Sequence, residues 1–220
     1  MAGPPPVPLL PLPGWFASLT PAPAPGASPP PPPPPPAWGV GGPDMPGTKA
    51  NPLTQAQADQ LFKDLADPKN GIPFNWPRDG CYARAHEMRR LMEAKGIESA
   101  KTFNYGSLKV TGPSIPDGQV TWRYHVAPTI EVQGKDGKPV TMVIDPSLSD
   151  KLMTNQEWKD KQGDPNSRLE PAPGHVVYKG EGVPATDPGI SRDDSYTDTA
   201  KELAAFRKER ADWDAAHPKK

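Results

Sequence analysis

What most constrains this chain is where its prolines fall. Of its 34 prolines, 20 lie in residues 1–52, and Pro29 to Pro36 form an unbroken run. Each proline fixes φ and removes an N–H, so such a stretch suits neither a helix interior nor a sheet ladder. The stretch also carries almost no charge and no apolar periodicity. Chain of this kind favours extended polyproline II and cannot bury enough surface to fold. Residues 1–52 are therefore expected to be a Pro-rich disordered segment or linker. The folded part of the 220 residues is expected to begin near Leu53, with enough chain left for one core of ordinary size.

Charge excludes one class of function. With 25 basic and 26 acidic residues the formal charge is -1, and no basic stripe is present to displace counterions from phosphates. No nucleic-acid partner is expected. "VPLLPLPGWFASL" is broken by proline, lacks a basic flank and is too short to span a bilayer, so neither a secretion signal nor a membrane span is expected. The compartment stays open. The Pro-rich segment reads in two ways, as a stiff spacer or as a ligand for a partner with an aromatic polyproline-reading groove.

From Leu53 the pattern changes. Thr54 with Gln57 is a capping box, and Ala58, Leu61, Phe62 and Leu65 share a helical face, predicting a helix over 54–66. A second helix is predicted over 80–95, with Cys81, Ala85, Met88 and Met92 on one face, Arg89, Arg90 and Lys95 facing out, and Gly96 as its stop. Strand-type runs follow at 99–105, 120–133 and 140–145, the last two flanking an Asp-Gly hairpin signal. Thr154 with Glu157 opens a short helix, 174–180 is expected to be a closing strand, and a last helix is expected over 199–215. These elements make an α+β domain over 53–182, with its helices packed on an antiparallel sheet. A linker and an amphipathic helix follow over 183–220.

Cys81 is the only cysteine, so no internal disulfide can form. It sits where a helix starts, and there the helix dipole and unpaired N–H groups favour a thiolate. The position fits a nucleophile, and it equally fits a small core residue packed with Ala85 and Met88. Among the four histidines, His86 lies five residues along the same helix and cannot easily turn to the sulfur. His217 lies in the charged tail, and His175 follows a Pro-Gly turn. His125 lies in "WRYHVAPTIEV", where alternation puts Trp122, Tyr124 and Val126 on one face and His125 with Arg123 on the other. If Asp136-Gly137 closes a two-residue hairpin, Asp145 falls near Pro128, a few residues from His125. No zinc-ligand spacing is present, and no metal or cofactor is expected.

The strings "IPFNWPRDGCYARAHEMRRLMEAKGI", "YHVAPTIEV" and "MVIDPSLSD" with "EWK" resemble the bacterial protein-glutaminase (protein-deamidating) family. The resemblance spans about Leu53 to Gly182. It implies a catalytic triad of Cys81, His125 and Asp145, and a core related to transglutaminases and papain-like cysteine enzymes. It also implies hydrolysis of the side-chain amide of protein-bound glutamine through a Cys thioester, with accessible glutamines of proteins as substrates. Two alternatives remain. One is a transglutaminase-like acyltransferase or a cysteine peptidase using the same triad. The other is a Pro-rich interaction protein whose domain is not catalytic.

Overall fold

The computed structural model describes residues 45–112 and 115–218. The Pro-rich opening to residue 44, with the spacer and polyproline-partner readings attached to it, lies outside the described residues.

Helix α1, Gln55–Ala66, begins where the capping box predicts. Thr54 Oγ1 accepts the Gln57 backbone N–H at 3.3 Å, and Gln57 Oε1 accepts the Thr54 N–H at 2.9 Å. Its buried residues are the expected Ala58, Leu61, Phe62 and Leu65. Helix α2, Cys81–Ala94, starts directly at the cysteine. A second capping box, Thr154 with Glu157, opens the short helix α3, Asn155–Asp160.

The described residues form five strands, β1 Ala100–Thr111, β2 Gln119–Gln133, β3 Pro139–Val143, β4 Met153–Thr154 and β5 Arg168–Pro173. They form one antiparallel sheet in the order β4-β3-β2-β1-β5. Even-numbered positions of β2 face the helices: Ile130 and Val132 pack with Leu61, Phe62, Met88 and Met92 of α1 and α2, and Val126 packs with Cys81 and Ala85. The odd-numbered Ala127 faces the other side, with Val143, Met153 and Trp158 of α3. Both faces of β2 are therefore covered, and its central residues are buried irrespective of parity.

Two expectations are corrected. The closing strand is 168–173, not 174–180. Pro171 and Pro173 mask it in the sequence, yet among the described residues β5 is an edge strand paired with β1 alone, where a missing N–H is tolerated. The β2–β3 hairpin has a three-residue loop, Lys135–Gly137, in place of two. Gly134 N–H donates to Lys138 O at 2.7 Å, and Gly137 takes the left-handed conformation at φ 79°. The register pairs Thr129 with Val143, which carries Asp145 to a level opposite Ala127 rather than Pro128. A one-residue slip exchanges the faces of a strand. The observed register is the one that puts Asp145 on the same side as His125.

Helix α4, Thr197–Ala216, docks on the domain through Leu203 and Phe206. It lies along α2 and along the segment that leads into it. Arg207 Nη1 donates to Gly71 O at 2.7 Å, and Arg210 Nη1 to Asn75 O at 2.5 Å. Among the described residues no helix is long and apolar enough to cross a membrane.

Candidate active site

The site begins with a turn that only glycine fits. Gly80, the residue before α2, sits at φ 77° and ψ 17°, a conformation that costs an L side chain about 1–2 kcal/mol. Its N–H donates to Asp79 Oδ1 at 2.6 Å, and its carbonyl accepts the first helical bond, from Arg84 N–H at 3.0 Å. Among the described residues no side chain caps the helix. The uncapped N–H groups of the first turn therefore lie at the end of α2 that carries Cys81, a free thiol only 5% exposed.

β2 supplies the imidazole. His125 is 1% exposed, and its Nε2 bonds Asp145 Oδ2 at 2.8 Å. Its Nδ1 is buried without a full hydrogen bond. Burial pushes the His125 pKa down, but the Asp145 carboxylate outweighs burial, Cys81 adds to the lift, and the ring is held up at about 9. A histidine raised in the fold contributes stability that is complete below its ordinary 6.5 and is lost as pH rises through about 9.

Asp145 is placed as strictly as the ring it faces. The chain leaves the ladder after Val143, and Asp145 Oδ1 accepts the Ser147 N–H at 3.1 Å. Its Oδ2 accepts a second bond, from Trp158 Nε1 at 2.8 Å. Burial would raise this carboxyl, but the charge and hydrogen bond of His125, followed by the Trp158 bond, hold it below its ordinary value. His125 of β2 and Asp145 beyond the end of β3 are thus held in contact, and Cys81 of α2 is among the groups that act on the His125 ring.

Three further residues were not singled out from the sequence. Trp122 stacks on the His125 ring, with centroids 4.6 Å apart and planes 8° apart, and Trp158 lies on it at 5.4 Å and 25°. Alternation predicts Trp122 on the opposite face from His125. The stacking of the two rings departs from that alternation, beside an irregularity of the β1–β2 register between Tyr105 and Leu108. Trp122 Nε1 also donates to Pro77 O at 3.0 Å and Arg78 O at 3.2 Å, tying the imidazole strand to the lead-in of the cysteine helix. Arg84, 2% exposed and one turn past Cys81, is the third. Its sequence signal was the i,i+3 spacing from the thiol.

The other histidines lie elsewhere. His86 is buried, its Nδ1 3.0 Å from Lys101 Nζ and its Nε2 3.0 Å from Asp193 O. Burial, then Lys101, pulls its pKa down to about 4, so it is a neutral structural ring. His175 is half-buried beside Gly47 and Glu98, and exposed His217 stacks on Trp213. Among the described residues no group of three or more His, Cys, Asp or Glu side chains could hold a metal. An open groove of about 1000 Å³, lined by Trp122, Tyr124 and Tyr178 among others, runs beside the imidazole strand.

A family model described as glutaminase matches residues 58–162, the span that contains all three groups. Over that span the chain is similar to the glutaminase family. Its fold agrees with solved relatives. The NMR structure of protein-glutaminase from Chryseobacterium proteolyticum matches with 27% identity and a TM-score of 0.61, over 71% of this chain and 88% of that one. A crystal structure of protein-glutaminase matches with 26% identity and a TM-score of 0.61, over 74% and 88%. A crystal structure of pro-protein-glutaminase matches with 26% identity and a TM-score of 0.60, over 70% of this chain and 57% of that one. No curated protein matches the chain.

Proposed function

We propose that the chain is a protein-glutamine deamidase, hydrolysing the side-chain amide of protein-bound glutamine to glutamate and ammonia. The observation that carries the reading is the 2.8 Å His125–Asp145 bond beside Cys81 at the uncapped start of α2, inside the span similar to the glutaminase family.

Each group has one task. The Cys81 thiolate attacks the amide carbon, and the electron pair moves onto oxygen. The oxyanion is held by N–H groups at the start of α2 and in the lead-in before it. The C–N bond breaks as the His125 imidazolium gives its proton to the departing nitrogen, which leaves as ammonia. Water then attacks the thioester and gives its proton back to His125. Collapse releases the glutamate side chain and restores the thiolate. Asp145 fixes the ring's tautomer and stabilises the imidazolium without taking the proton.

The test is mass spectrometry of a glutamine-rich protein, with ammonia measured in parallel, using wild type and Cys81→Ala. Wild type releases ammonia and converts glutamine to glutamate, and Cys81→Ala does neither. Cross-links to lysine or cut chains in place of new glutamates overturn the reading, as does an active Cys81→Ala.

The imidazolium also sets a pH limit. Above about 9 the His125 ring is neutral and has no proton for the leaving nitrogen. The kcat of the wild type is expected to fall as pH rises through that value. A rate that stays level a full unit above it removes His125 as the acid.

A further inference from the structure

Arg84 is a buried cation that the reaction above leaves unused. Its Nη1 donates to Trp76 O at 3.2 Å and to Asp79 O at 2.6 Å, the two ends of the turn before Cys81. Among the described residues its buried Nη2 has no hydrogen-bond partner. A buried guanidinium with one arm unsatisfied is costly unless nearby negative charge compensates it. Burial pulls its pKa below the ordinary value, and the strongest opposing influence is Cys81, followed by Asp145 and Asp79. The arginine and the thiol also sit at i and i+3 of one helix, where side chains are neighbours about 5–6 Å apart at Cβ.

The other titratable groups that interact with the sulfur are Tyr82 of α2, Tyr124 and His125 of β2, and Lys101 of β1, with Asp145 behind His125. Lys101 spends its donors on Val176 O at 2.6 Å and His86 Nδ1 at 3.0 Å. His125 cycles its charge during the reaction. Arg84 keeps its charge at every working pH.

We propose that Arg84 is the positioning residue of the nucleophile: its permanent charge favours the thiolate of Cys81, and its Nη1 clamps the Trp76–Asp79 turn against the first turn of α2. The proposal takes the role of the sulfur from the deamidase reading, but the ionisation of the sulfur is independent of that reading.

Cys81 is the only cysteine in the chain, so alkylation by iodoacetamide reports a single site. The alkylation rate is followed against pH in the full chain, beside kcat and KM for ammonia release. Arg84→Met is expected to move the inflection upward by about one to two pH units, the size expected of a unit charge removed at this range. Arg84→Lys keeps the charge, so its inflection stays near wild type. Its kcat falls about tenfold or more with KM little changed, because an ammonium cannot reproduce the fixed fork.

An unmoved inflection in folded Arg84→Met overturns the charge role. Where Arg84→Met does not fold, an inflection that moves up in Arg84→Lys overturns it instead. Wild-type kcat in Arg84→Lys overturns the clamp. A wild type that alkylates with a clear inflection but releases no ammonia removes the deamidase reading and leaves the ionisation result standing.

Discussion

Asp145→Asn is expected to lower kcat by about 10³–10⁴-fold with KM little changed, the scale seen when an orienting carboxylate of a triad is replaced by its amide. The reason is a count of acceptors. Oδ2 of Asp145 serves both His125 Nε2 and Trp158 Nε1, and Oδ1 serves the Ser147 N–H. An asparagine has one oxygen for these three donors. If its oxygen faces the two rings, its NH2 opposes the Ser147 N–H and the turn after Asp145 loosens. If its NH2 faces the rings, the proton of His125 is driven to Nδ1, the nitrogen needed by the sulfur. Either way the imidazolium loses its counter-charge, so the high-pH limb should also move down from about 9. Trp158→Phe keeps the aromatic stacking, removes one donor to Asp145 and should cost far less. A kcat for Asp145→Asn within tenfold of wild type would remove the carboxylate from the mechanism.

The residues of the site were legible where their signal is local. Thr54 with Gln57, Thr154 with Glu157 and the 3.6-residue face of α1 each express hydrogen bonds or packing within one element, and each appears as expected. The start of α2 at Cys81 was legible for the same reason, since Gly80 in the left-handed region punctuates the chain. What was not legible depends on how strands sit beside one another. The three-residue loop moved Asp145 by one position along β2, and an indole expected on the far face lies on His125 beside an irregularity in the β1–β2 pairing. β5 was hidden because Pro171 and Pro173 break strand propensity without breaking an edge pairing. The polar groups that serve the site, Trp158 and Arg84, acquire meaning only when their partners from other elements are in place.

Gly80→Ala is expected to cost about 3 kcal/mol or more in stability, combining left-handed strain at a non-glycine residue with overpacking. A Cβ at this position would come within 2.5 Å of Phe206 Cδ2 and closer still to Cε2, so the chain must move the ring of α4, the turn or both. For a domain of this size the loss corresponds to a melting temperature lower by roughly 6–12 °C. Because the strained residue precedes Cys81, the proposed nucleophile, displacing it should also lose activity, and an error near 1 Å in a reacting group costs about 10²-fold. The second variant, Phe206→Ala, opens a cavity against Gly80 and should cost about 3–5 kcal/mol alone. In Gly80→Ala/Phe206→Ala the added methyl occupies part of that cavity, so the double variant should be more stable than the sum of the two by about 1 kcal/mol or more. The left-handed strain remains in the double, which keeps it below Phe206→Ala. Additive losses would mean that the ring of α4 does not rest on the turn before Cys81. A coupled loss, with activity recovering alongside stability, would make the C-terminal helix part of what holds Cys81 in place.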